Sequence, residues 1–139
     1  MEDRYLYKAK RLDNKEWVEG NLRQDNDLET AYISGWDYYQ DEYGNQREPF
    51  EYEIDPATLC QCTGLKDKNG KLIWENDIFR VNYYNWRCKV VWDSKCVRFI
   101  GRTNDNTVGI VYVDMVDKND NSSLEIIGNI FDNPELLEV

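Results

Sequence analysis

A mainly β fold, α+β at most, is predicted by three features of this sequence. Tight-turn signals recur along the chain: Asp13-Asn14, Asn69-Gly70, Glu75-Asn76-Asp77 and Asp93-Ser94-Lys95. The runs between them alternate in polarity or concentrate β-branched and aromatic residues, as half-buried strands do. Long amphipathic helical periods are missing, while aromatics reach 14%, with five Trp, ten Tyr and four Phe. Such side chains pack well on pleated surfaces.

The elements follow in order. Tyr5, Tyr7 and Ala9 fall on one face and Lys8 and Lys10 on the other, the period of a strand. Arg11 to Glu16 is polar and turns at Asp13-Asn14; Trp17 to Leu22 is the returning strand, and Thr30 to Ser34 a third. Residues 37–55 hold seven acids against Arg47, with Tyr38, Tyr39, Tyr43, Phe50 and Tyr52 interleaved. Gly44-Asn45 and Pro49 interrupt it, so the expectation is a long, partly ordered loop or an irregular hairpin. Asp55-Pro56-Ala57 reads as a capped helical turn.

Asn69-Gly70 is the strongest short hairpin signal in the chain. Strands are expected over Ile78 to Tyr83, Arg87 to Trp92, Cys96 to Gly101, Val108 to Val116 and Leu124 to Gly128. Asn133-Pro134 opens a last helical turn. Five short strands at regular spacing suggest a small bent, SH3-like β-barrel over about residues 63–130. The expected organisation is an N-terminal β lobe with its acidic loop over 1–53, and a barrel-like region over 54–139.

The chain has 139 residues, one domain's worth or one core with a lobe. Its net charge is -10. Residues 1–60 carry 15 acidic and 7 basic residues, and residues 61–139 carry 12 and 10. A field of this sign repels phosphate backbones and anionic lipid, and it suits a basic protein partner. No apolar run reaches the ~18 residues of a membrane helix, and Met1-Glu2-Asp3-Arg4 opens no secretory signal. The bacterial cytoplasm is the expected compartment, with Cys60, Cys62, Cys88 and Cys96 reduced.

Two segments then carry a resemblance. Ile54-Asp55-Pro56-Ala57-Thr58 leads through Thr63-Gly64-Leu65-Lys66-Asp67-Lys68-Asn69-Gly70-Lys71 to Ile73-Trp74-Glu75-Asn76-Asp77-Ile78. The ending runs Ile127-Gly128-Asn129-Ile130-Phe131-Asp132-Asn133-Pro134-Glu135-Leu136-Leu137. Together they resemble the signature of the YopX-like family over residues 54–139; residues 1–53 match loosely, through the Trp17-to-Gly20 hairpin. The resemblance implies a small protein encoded by a bacteriophage or prophage, of unknown function, with self-association as an added expectation. It carries over no catalytic or ligand residue. The family usually has Gly where this chain has Asn76, which implies a turn with positive φ, since Asn best tolerates that conformation after Gly. The family commonly has residues other than cysteine at the positions of Cys60 and Cys62.

Chemistry is sparse. Without histidine, Ser–His and Cys–His nucleophile systems are excluded. Cys60-x-Cys62 and Cys88 to Cys96 are poorly spaced for structural zinc, and small buried side chains explain them better. No phosphate-cradling Gly loop is present. Asp67 and Asp77 look motif-like, but a short carboxylate at a turn ordinarily accepts backbone N–H bonds. The expectation is therefore a non-enzymatic protein with no metal and no cofactor, which binds a host or phage protein of basic character. Tyr38, Tyr39, Asp41, Glu42 and Tyr43 are the candidate surface. The alternative is single-stranded nucleic-acid binding by the hairpins of residues 80–102. It would use Tyr83, Trp86, Arg87, Lys89 and Arg98, with Tyr84, Trp92, Arg80 and Arg102 near. A net-negative chain argues against nucleic acid as the partner.

Overall fold

The computed structural model describes residues 5–26, 29–81, 86–103, 111–116, 119 and 121–137. They are mainly strand, in antiparallel ladders. Two compact units divide between Gln61 and Cys62.

In the first unit, β1 (Tyr7–Lys10) pairs β2 (Trp17–Gln24), which pairs β3 (Ala31–Asp41), which pairs β4 (Gly44–Ile54). Period two fills its core: Ala9, Ala31, Ile33 and Ile54 are buried, with Val18, Leu22 and Phe50 packed against them. On the opposite side Lys8 and Lys10 lie over the Trp17 ring, 4.8 and 5.4 Å from its centroid. Leu12 N donates to Glu53 O and Asp55 N to Lys10 O, which returns the end of β4 to the end of β1. A 3₁₀ turn, Pro56–Thr58, follows. Asp55 Oδ1 accepts from Ala57 N at 3.0 Å, and Thr58 Oγ1 accepts from Lys10 N at 2.8 Å. This is the expected capped turn.

Of the two forms expected for segment 37–55, a partly ordered loop or an irregular hairpin, the hairpin is observed, and it is regular. The segment holds the end of β3, the turn and β4, paired from Ala31↔Ile54 to Asp41↔Gly44. Gly44, at φ +101°, closes the Glu42-Tyr43 turn, as a residue without Cβ can. Pro49 sits on an edge strand, where a missing N–H costs no ladder bond. The outward bond of Glu53 O fixes the parity, so Asn45, Arg47, Pro49 and Glu51 turn their backbone groups away from β3.

β5 (Cys60–Lys66) starts in the first unit and continues into the second. There it pairs β6 (Leu72–Trp74). A five-stranded sheet follows in the order β10-β9-β8-β7-β11, from β7 (Asp77–Val81), β8 (Arg87–Asp93), β9 (Arg98–Thr103), β10 (Val111–Tyr112) and β11 (Leu124–Asn129). The expected barrel is corrected: the described strands form open sheets, and no SH3-like closure is seen. One physical reason lies at β11. Its outer edge is occupied at two points, where Lys68 N donates to Leu124 O and Ile126 N to the Asp67 carboxylate. Of the strand expected over Val108 to Val116, Val111–Tyr112 is observed, and 108–110 lie outside the described residues. The core here is Ile73, Phe79, Val81, Cys88, Val90, Val111, Val113 and Leu124. A second 3₁₀ turn, Pro134–Leu137, stands where Asn133-Pro134 foretold it.

Both signature turns are present. Gly70 has φ +78°, and Asn76 has φ +71°. Trp74 N donates to Asp77 Oδ2 at 2.8 Å across the second turn. Asn76 N donates to Val90 O and Asn76 O accepts from Ile130 N, so this turn is tied to β8 and to the chain after β11. Asn76→Val therefore loses about 1–3 kcal/mol of stability, because a β-branched residue resists positive φ. Asn76→Gly loses nothing. Urea melts check both, and equal midpoints for the valine variant and the parent protein would sink the idea.

Candidate functional site

The β2–β3 ladder ends at Asn21↔Ser34. Beyond it, from Gly35↔Phe50 to the turn, β4 is the one strand paired with β3 among the described residues. The acidic, aromatic segment is thus the distal part of a two-stranded ribbon. Two-stranded ribbons expose both faces, and the register sorts the side chains between them.

One side of the ribbon carries Trp36, Tyr38, Gln40, Asn45, Arg47 and Pro49. The Arg47 guanidinium lies over the Trp36 ring, 4.1 Å from its centroid, and Gln40 donates to Asn45 Oδ1 at 2.8 Å. The other side carries Asp37, Tyr39, Asp41, Gln46, Glu48 and Phe50. The register therefore gathers the acids Asp37, Asp41 and Glu48 on one side and sets Arg47 on the other, with two aromatics on each. Asp37 stands directly opposite Glu48, a like-charge pairing that disfavours the bare ribbon.

Of the surface residues expected from sequence, Tyr39 and Asp41 share the acidic side, and Tyr38 lies on the opposite one with Trp36 and Arg47. Glu42 and Tyr43 form the turn, with Tyr43 N donating to Asp41 Oδ1 at 2.8 Å. Tyr38 is 75% exposed and Tyr43 82%. Trp36, exposed in the same ribbon, was missed by a segment drawn from residue 37. Its even spacing from Tyr38 is the signal that finds it. Trp36 and Pro49 also wall a shallow cavity of about 420 Å³, with Asn21, Ser34, Phe50 and Glu51. Glu51 is held by Arg23 at 2.8 Å, and that guanidinium keeps its carboxyl below the usual range.

The alternative surface does not assemble as expected. Tyr83 and Tyr84 lie outside the described residues. Trp86 is half-buried against the second unit's core, and Trp74 is buried. Trp92 is exposed, yet it stands on the core side of β8, edge-on to Phe99 at 5.1 Å. Arg87, Lys89 and Arg98 take the opposite side, because they fall at the other parity of the same strands. Aromatics and bases are adjacent in sequence and divided in space.

The cysteines disperse. Cys60 and Cys62 are buried two residues apart, Cys88 is buried opposite Thr103, and Cys96 is exposed in the β8–β9 loop. Burial pushes the Cys88 thiol up to about 11. Among the described residues no three His, Cys, Asp or Glu side chains gather as metal ligands. No described helix is long and apolar enough to cross a membrane.

Known proteins agree with this architecture. The chain is similar in fold to a solved structure, "Crystal structure of protein EF1440 from Enterococcus faecalis". The identity is 24% and the TM-score 0.58, over 94% of this chain and 96% of that one. No curated protein matches significantly. The description "YopX protein" matches residues 6–138, so the loosely matching N-terminal part falls within the same family region as the two signature turns. By that match over nearly its whole length, the chain belongs to the YopX protein family.

Proposed function

We propose that this protein is a non-enzymatic bacteriophage or prophage accessory protein that acts in the host cytoplasm by binding another protein. The distal β3–β4 ribbon is the contact surface. One observation carries the reading: beyond Ser34 the hairpin leaves its sheet and displays Trp36, Tyr38, Tyr39 and Tyr43 to solvent. Large exposed aromatics on a preformed element anchor interfaces at small cost in side-chain entropy. Asp37, Asp41, Glu42 and Glu48 beside them favour a basic partner and speed its encounter.

The test compares the parent protein with a Tyr38→Ser/Tyr39→Ser/Tyr43→Ser variant. These side chains are exposed and outside the core cluster, so the melt should move little. Each serves as bait for host lysate, with bound proteins identified by mass spectrometry. A partner captured by the parent, released by salt and lost in the variant supports the reading. Equal capture by both, or none above background, removes it. Sedimentation of the two proteins tests the remaining expectation, self-association, and shows whether the ribbon tyrosines contribute to it.

A further inference from the structure

Residues 78–103 hold six basic residues and one acidic residue, in a chain whose net charge is -10. The ladders of the second unit place five of the six on one side. Arg80 faces Arg87 across β7 and β8, and Lys89 faces Arg102 across β8 and β9. Arg98 joins them, since Asp93, its partner, shares the parity of Arg87 and Lys89. The core residues Phe79, Val81, Cys88 and Val90 all take the other side.

Solvation alone accounts for charge on an outer face. It does not account for one sign of charge in two adjacent cross-strand pairs, because like charges directly opposite destabilise a sheet. Three carboxylates partly offset them: Glu125 with Arg80 at 2.8 Å, Asp114 with Arg98 at 2.9 Å and Asp93 with Arg102 at 3.5 Å. Arg87 and Lys89, at the centre, have no carboxylate partner among the described residues; Arg87 Nη1 donates to Leu136 O at 3.3 Å. Ile78 and Ile100 are buried on the same side, and the stems of long cations cover such apolar surface while their heads reach water. Tyr112 also faces this side, opposite Ile100, exposed and 4.5 Å below the Arg98 guanidinium.

We propose that this face of the five-stranded sheet binds single-stranded nucleic acid through its phosphodiester backbone. Four of the five cations are arginines, whose planar fork matches phosphate oxygens in pairs. The arginine-capped Tyr112 ring is a stacking platform for a base at one margin of the row. The two 3₁₀ turns, Pro56–Thr58 and Pro134–Leu137, are three and four residues long, too short to enter a duplex groove. The sheet belongs to the second unit and the ribbon to the first, and this proposal is independent of the protein-binding reading. Of the sequence-based residues it keeps Arg87, Lys89 and Arg98 with Arg80 and Arg102, adds Tyr112 and leaves out Trp86.

The experiment is a fluorescence-anisotropy titration with labelled oligothymidylate, longer than the ~16 nucleotides a small β module covers. The parent protein should bind at low salt and weaken as salt rises. Lys89→Glu should weaken binding at least tenfold and lower the salt slope by about 0.7, one phosphate's worth on a single strand. It sets a carboxylate opposite Arg102, so its melting temperature should not fall, and loss of binding would not reflect unfolding. Arg87→Glu/Lys89→Glu should weaken binding further. Lys95→Glu, in the exposed β8–β9 loop, should leave binding unchanged. No binding at low salt overturns the proposal. So does binding indifferent to Lys89→Glu, or equal affinity for polyglutamate, which would make this a docking face for acidic protein.

Discussion

Replacing Asp67 by alanine will cost the second unit about 3–4 kcal/mol, through three backbone donors left without their acceptor. The carboxylate is 5% exposed. Its Oδ1 accepts from Asn69 N and Lys71 N, each at 2.9 Å, and its Oδ2 from Ile126 N at 3.0 Å. Two bonds close the Asn69-Gly70 hairpin, and the third fastens that hairpin to the outer edge of β11. Beside it Lys68 N donates to Leu124 O at 2.8 Å, so turn and carboxylate together stand where a further strand would pair. A urea melt should show the midpoint fall with little change in slope. Asp67→Asn should lie between, since its oxygen still serves two donors while its NH₂ meets the Ile126 N–H. Hydrogen exchange at Ile126 should speed up in both variants. A midpoint for the alanine variant within about 0.5 kcal/mol of the parent, the scatter of ordinary surface changes, would reject this role.

An effect at least as large is expected at Phe79, whose loss to alanine should cost about 3–5 kcal/mol. It is fully buried at the centre of the second core. Its ring lies against Gly101 of β9. A Cβ there would overlap Phe79 Cζ, come within 2.8 Å of Cε1 and reach 3.3 Å from Cys88 Cβ. Gly101→Ala alone should therefore cost roughly 2–3 kcal/mol by overpacking. In the Phe79→Ala background the added methyl enters the vacated space, and Gly101→Ala becomes neutral or stabilising. The double-mutant cycle should show coupling of at least about 1 kcal/mol. Additive losses would mean that ring and glycine do not define each other's space.

Several elements were legible because their signals are local. Asp55 followed by Pro56 specifies a capped turn within four residues, and its bond from Ala57 N is observed. Asn69-Gly70 and Glu75-Asn76-Asp77 specify turns through conformations that few residues tolerate, and Gly70 and Asn76 adopt them. Alternation at Tyr7 and Ala9 marked one strand, and the run from Arg87 to Trp92, ended by the Asp93-Ser94-Lys95 turn, another, before any partner was known. Pro49 misled because a proline means a break in a central strand and nothing harmful at an edge, whereas Gly44 marked the hairpin's turn. Whether a strand is an edge depends on pairings remote in sequence.

By itself, the sequence determined the β character of this protein, its turns, its charge and its family, since each is written in spacing and composition over a few residues. Tertiary structure alone decided sidedness. Ladder register placed Trp36, Tyr38 and Arg47 on one side of the ribbon and Asp37, Tyr39 and Glu48 on the other. The same kind of register carried Trp92 to one side of the second sheet and Arg87 and Lys89 to the other. A shift of one residue in any of these ladders would exchange the faces. That choice belongs to contacts between strands far apart in the chain.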